Sequence, residues 1–152
     1  MHLVTRLNNI LQSLVDDGFI SERIYTYSAQ FNVIAGRCRV PVGVLLLPNR
    51  WKLECDTVTA REHGVFDIYF LTTQPQLDFD ATSNEVLIDN MIDVATEFIG
   101  RVKSDKSIHI NEIDINLQSI YDANNKNLTG VHIAIDLKEQ QGRCIPTYGG
   151  CL

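Results

Sequence analysis

Val65-Phe66-Asp67-Ile68-Tyr69-Phe70-Leu71 is apolar or aromatic at every position but Asp67. An uninterrupted run of this length, rich in β-favouring residues, predicts a central strand covered on both faces. Just upstream, Trp51 to Val58 alternates, which predicts a strand with Trp51, Leu53 and Cys55 on its inner face. Pro48-Asn49-Arg50 marks a turn before it, and Arg39 to Leu47 is expected to be another strand, with Pro41 at an edge or bulge. Ile24-Tyr25-Thr26-Tyr27 is a further short strand, which Phe31 to Ala35 extends beyond a break. Together these pieces predict an antiparallel meander of three or four strands.

Helices flank the meander. Leu3, Leu7, Ile10, Leu11 and Leu14 recur at helical spacing, and Asp16-Asp17-Gly18 stops the helix, with Gly18 suited to a left-handed C-terminal position. The aspartates there oppose the helix dipole slightly. After a Pro75-containing loop, Thr82-Ser83-Asn84-Glu85 has the spacing of a capping box. It opens a helix to about Lys103, whose stripe of Leu87, Met91, Val94, Ala95, Phe98 and Val102 is widened by Ile88, Ile92 and Ile99. So broad an apolar band implies contact on more than one side.

Downstream, Ile113, Ile115 and Leu117 alternate with polar residues, as do Val131, Ile133, Ile135 and Leu137. This predicts a hairpin with an unusually long loop, Asp122 to Gly130. Ile108 and Ile110 are out of phase with Ile113, which places a bulge around Asn111-Glu112. From Gln140 to Leu152 no periodicity remains. The expected fold is α+β: an antiparallel sheet of about five strands carrying two helices, in the order α-β-β-β-α-β-β. One domain spans 3–138, and an extended C-terminal tail spans 139–152.

Composition narrows the function classes. The 152 residues are 45% hydrophobic, enough to bury a core. Thirteen Lys and Arg against 19 Asp and Glu leave a net charge of −6, which disfavours a chain whose main task is gripping nucleic acid. No apolar run approaches the roughly 18–20 residues of a membrane span, and the N-terminus does not have the pattern of a signal peptide. Without a secretory signal, Cys38, Cys55, Cys144 and Cys151 are expected to be free thiols, with a Cys144–Cys151 bridge as the main exception.

No motif announces chemistry. His109 and His132 fall on the polar face of alternating strands, and His63 precedes a strand at Gly64. A Cys55–His63–Asp67 set has the residue types of a nucleophile, base and orienting acid, but nothing in its spacing brings the groups together. Asp67, in a central strand, needs a partner, for which Arg37, Arg39 or Arg61 are the candidates. Asp78-Phe79-Asp80 does not complete a calcium loop, and Gly36, Gly43 and Gly64 stand alone rather than forming a phosphate loop. No catalytic, cofactor-binding or metal-ligating set is assigned.

The element order, with central strand Val65–Leu71, acidic loop Gln74–Asp80, helix Asn84–Lys103 and hairpin Ile113–Leu137 carrying Asn127-Leu128-Thr129-Gly130-Val131, resembles the tail-terminator and head–tail joining (neck) proteins of tailed bacteriophages. The resemblance covers about residues 3–138 and rests on element order, not on a signature motif. It implies a structural virion protein that acts by assembly: a homo-oligomeric ring at the neck or tail end. The implied partners are portal, adaptor or tail proteins, with DNA only as passing cargo, no cofactor and no membrane. Such a protein is made and assembled in the host cytoplasm and resides in the virion.

Two segments then become candidate partner contacts. They are the hairpin loop, with Asn124, Asn125, Lys126 and Asn127, and the tail, with Ile145, Tyr148 and Leu152 as apolar side chains lacking a periodic element to bury them. Both are expected to be ordered mainly by neighbouring subunits or another virion protein. The alternatives are a small cytosolic enzyme using Cys55 or Cys38 with His63, or a ligand-binding α/β domain.

Overall fold

The computed structural model describes residues 2–31, 37–73, 81–111, 115–123 and 128–146, excluding the side chains of His2, Ala29, 81–83 and 121–123. Helix α1 (His2–Asp16) is followed by β1 (Glu22–Thr26), a short 3₁₀ turn at Ser28–Gln30, β2 (Val42–Leu46), β3 (Lys52–Cys55) and β4 (Thr59–Thr73). Helix α2 (Ala81–Ser104) leads to β5 (Ile108–Ile110), β6 (Asn116–Ala123), β7 (Leu128–Glu139) and β8 (Arg143–Cys144). Among the described residues the chain is thus α+β with two α-helices, as the sequence implies.

The sheet itself differs from the expected five antiparallel strands: it is mixed, and among the described residues it has eight. β1 and β2 run parallel, Glu22 opposite Val42 through Thr26 opposite Leu46. A parallel pair needs a crossover of a dozen or more residues, and the segment from Tyr27 to Pro41 supplies it. β2 is therefore an interior strand, and Pro41, whose peptide bond with Val40 is cis, precedes it instead of marking an edge.

β4 organises everything else. β3 and β2 share one of its edges, at 60–63 and 68–71, while β7 and β8 share the other. β5 and β6 in turn lie along the far edge of β7. The eight strands so stack end to end into five columns. Where a bulge was expected near Asn111, β5 and β6 are two separate strands on β7, and a register shift falls later, between Ile120 and Ala123. The long polar loop is also shorter than expected: β6 runs to Ala123 and β7 starts at Leu128. Asp122 and Ala123 continue β6 and Leu128 to Gly130 open β7, although the Asp, Asn, Thr and Gly of this stretch are turn-type residues that read as loop.

Helices cover one face of this sheet. Leu3, Leu7, Leu11 and Leu14 of α1, with Met91, Val94, Ala95, Phe98 and Val102 of α2, pack on Leu45, Phe66, Ile68, Phe70, Val131, Ile133, Ile135 and Leu137. Each large side chain removed from water there contributes about 2 kcal/mol. The α1 terminus is a Schellman motif: Phe19 N–H bonds Leu14 C=O at 2.9 Å and Gly18 N–H bonds Val15 C=O at 3.1 Å, with Gly18 at φ 82°. Arg101 of α2 offsets the acidic end of α1 by pairing with Asp17 at 2.7 Å and bonding Ser13 Oγ at 2.8 Å.

The second face is not covered throughout, contrary to the expectation from Val65–Leu71. Val65 is 50% exposed, whereas Leu71 joins a smaller cluster with Val42, Val44, Leu46 and Leu128, against which Phe31, Cys38 and Val40 of the crossover pack. β3 departs as well: Leu53 and Cys55 lie on the helix-bearing side but are exposed, because β3 extends beyond the helices. The tail re-enters the sheet of its own chain at β8, opposite Thr59 and Ala60. Cys38 and Cys55 are thiols outside any disulfide, and Cys144 is disulfide-bonded, which corrects the expectation of four thiols. Cys151, the other cysteine of the tail, lies outside the described residues.

Candidate functional site

The open face of the sheet concentrates ionisable side chains. Cross-strand pairing places Lys52 opposite His63, His63 opposite Lys138 and Lys138 opposite His109. Directly opposed residues share a face, so four basic residues from β3, β4, β7 and β5 form one row across four columns. Like charges side by side repel, and the row is held together by acids from the adjacent rows.

Glu54 does most of this. Its carboxylate meets Lys138 Nζ at 2.5 Å, His63 Nδ1 at 2.6 Å and Lys52 Nζ at 3.3 Å. The Lys138 bond first, then the His63 bond, hold its carboxyl down to about 2. On the other side of the ring, His63 Nε2 is 2.7 Å from Asp136 Oδ1 and 2.6 Å from Asn111 Nδ2. Carboxylates only accept. The doubly protonated ring therefore donates to Glu54 and Asp136 together, while the neutral ring with its proton on Nδ1 donates to Glu54 and accepts from Asn111.

A second acid–histidine pair lies further along the same face. Asp67 Oδ1 accepts from His132 Nε2 at 2.7 Å, and the imidazole stacks on Tyr69 at 4.5 Å. Asp67 thus takes a histidine of β7, and not Arg37, Arg39 or Arg61, because the strand pairing puts His132 diagonally across from it. His132 is accordingly half-buried, and His109 is exposed.

The imagined Cys55–His63–Asp67 set does not assemble. Cys55 lies opposite Ala60 on the helix-bearing side, His63 is on the other face, and Asp67 belongs to His132. Cys38 sits at the edge of the smaller cluster, where burial pushes its thiol up. Among the described residues, no three His, Cys, Asp or Glu side chains are placed to share a metal ion.

Of the seven candidate contact residues, Asn124, Asn125, Lys126, Asn127, Tyr148 and Leu152 lie outside the described residues. Ile145 is half-buried, and its N–H bonds Val58 C=O of its own chain at 2.8 Å. The basic row was missed in the sequence because its members are far apart in the chain. Their shared polar-face parity was visible, but the strand register that aligns them was not.

Compared with known protein families, the chain matches none, and no curated protein matches it.

Proposed function

We propose that this chain is a structural subunit of a tailed-phage virion, forming a ring at the neck or tail end by sheet-edge contacts between copies. The observation that carries this reading is the pair of open margins. β1 ends the sheet on one side and β6 on the other, and among the described residues neither has a second partner strand. Such edges offer rows of backbone donors and acceptors to a further strand.

Apolar side chains mark both margins. Tyr25 of β1 is 40% exposed and Leu117 of β6 is 52% exposed, and their register partners Leu45 and Ile133 put both on the helix-bearing face. Joining β6 of one copy to β1 of the next covers both side chains and repeats head to tail, the type of contact that closes rings. The net charge of −6 suits a ring through which DNA passes without being held. Portal, adaptor or tail proteins are the partners this role requires.

Light scattering after size separation, with negative-stain microscopy, tests the proposal. Closed rings are expected, and Tyr25→Lys or Leu117→Lys should abolish them while moving monomer stability by less than about 0.5 kcal/mol, as exposed positions do. A chain that stays monomeric both alone and when mixed with portal and tail-tube proteins refutes the assignment. So do variants that assemble normally.

A further inference from the structure

We propose that the cleft between the β4, β7 and β5 columns on the open face binds a phosphate group, as the free ion or a small phosphomonoester. This inference does not depend on ring assembly. The cleft has a volume of about 230 Å³ and is lined by Arg61, His109, Asn111, Lys138, Glu139 and Gln140. Its lining is dominated by hydrogen-bond donors.

Arg61 is the decisive residue. It stands opposite Glu54 in the register, yet the Glu54 oxygens are engaged by Lys138, His63 and Lys52. Among the described residues the Arg61 guanidinium forms no ion pair. The backbone at Gly142, just before β8, runs beside its stem: a Cβ there would lie 2.7 Å from Thr59 Cβ and 3.1 Å from Arg61 Cγ. Asp56 feels its charge only through space, and a guanidinium with no direct ion pair at the wall of a cleft is a site for an anion.

The one acid in the lining does not oppose this. Glu139 is 8% exposed, and its Oε1 accepts both from Arg143 Nη2 at 2.8 Å and from Glu62 N–H at 2.8 Å. Lys138 donates one N–H to Glu54 and keeps two. His109, exposed and in register with Lys138, and Gln140, exposed just past β7, bring further polar groups to the lining.

The geometry favours phosphate over carboxylate. The polar groups come from separate columns, Arg61 on β4, Lys138 on β7 and His109 on β5, and so reach a ligand from different directions. A tetrahedral anion with several oxygens and a charge near −2 can meet them together. A planar carboxylate matches the Arg61 fork alone. The overall charge of −6 works against long polyanions, which favours a small phosphate compound over a nucleic acid strand.

Titration of the full chain with inorganic phosphate, followed by side-chain NMR signals of Arg61, His109 and Gln140 at constant ionic strength, tests this. Saturable shifts are expected, with affinity falling about tenfold in Arg61→Gln and less in Arg61→Lys, which keeps the charge but loses the fork. His109→Gln should weaken binding about threefold while Lys138 and Arg61 remain. An unchanged affinity in Arg61→Gln, or shifts that never saturate, overturns the proposal. Acetate binding as tightly as phosphate makes the site a carboxylate site, and tighter binding of a short oligodeoxynucleotide makes it a nucleic-acid contact; either result overturns it too. Circular dichroism of each variant confirms that the sheet is intact.

Discussion

Glu62 of β4 accepts the backbone N–H of Leu3 at 3.2 Å, so the first turn of α1, which has no acidic residue of its own, is capped by a carboxylate from the central strand. The same side chain is 5% exposed and also takes Trp51 Nε1 at 3.3 Å and Arg143 Nη2 at 2.8 Å. One residue therefore ties the helix start, the entry to β3 and the C-terminal β8 to the middle of the sheet. Arg143 completes the link by reaching Glu139 as well.

Glu62→Ala should destabilise the protein by about 2 kcal/mol, because it strips a partner from three donors at once. Arg143 is 41% exposed, so Arg143→Gln should cost less, about 1 kcal/mol. Urea denaturation of both single variants and the double variant measures this. The effects should add to less than their sum, since the two residues share one network.

Glu54 sets the behaviour in acid. Its carboxyl lies near 2 in the folded chain against an ordinary value of 4.5, through Lys138 first and His63 next. A depressed folded value means that its contribution is complete above 4.5 and is lost as pH falls toward 2. Glu54→Gln should therefore flatten the loss of melting temperature between these limits, while the native chain shows the steeper decline.

Two glycines should respond to alanine with opposite signs. At Gly130 a Cβ would sit 1.9 Å from the Phe70 carbonyl oxygen, a backbone atom that cannot move aside, so Gly130→Ala should cost about 3 kcal/mol or prevent folding. At Gly100, within α2, the Cβ meets nothing within 4 Å, and Gly100→Ala should stabilise by about 0.5–1 kcal/mol. Thermal unfolding of the pair reads both.

The thiols should fall into three classes toward a disulfide reagent. Cys55, exposed on β3, should react first; Cys38, half-buried with its thiol raised mainly by burial, should follow more slowly. Cys144 should react only after reduction. Peptide mapping after timed labelling assigns each class.

Local spacing alone determined both helices, the Gly18 terminus and the central strand at Val65–Leu71, because period and terminal signals are carried by neighbouring residues. The same periodicity located β7 from Val131 to Leu137. It did not reveal that β1 and β2 are parallel, since a crossover and a hairpin connection differ in where the chain returns, not in which residues alternate. The alternation ending at Leu117 located the strand that is β6 but joined it to β5 through a bulge, since spacing alone does not separate one bulged strand from two; β8 stayed hidden, because its two residues are too few to show a period. The basic row and its Glu54 clamp were decided only by tertiary structure: Lys52, His63, His109 and Lys138 meet because four strands pair in one register, and that register is set by burying the opposite face under the helices.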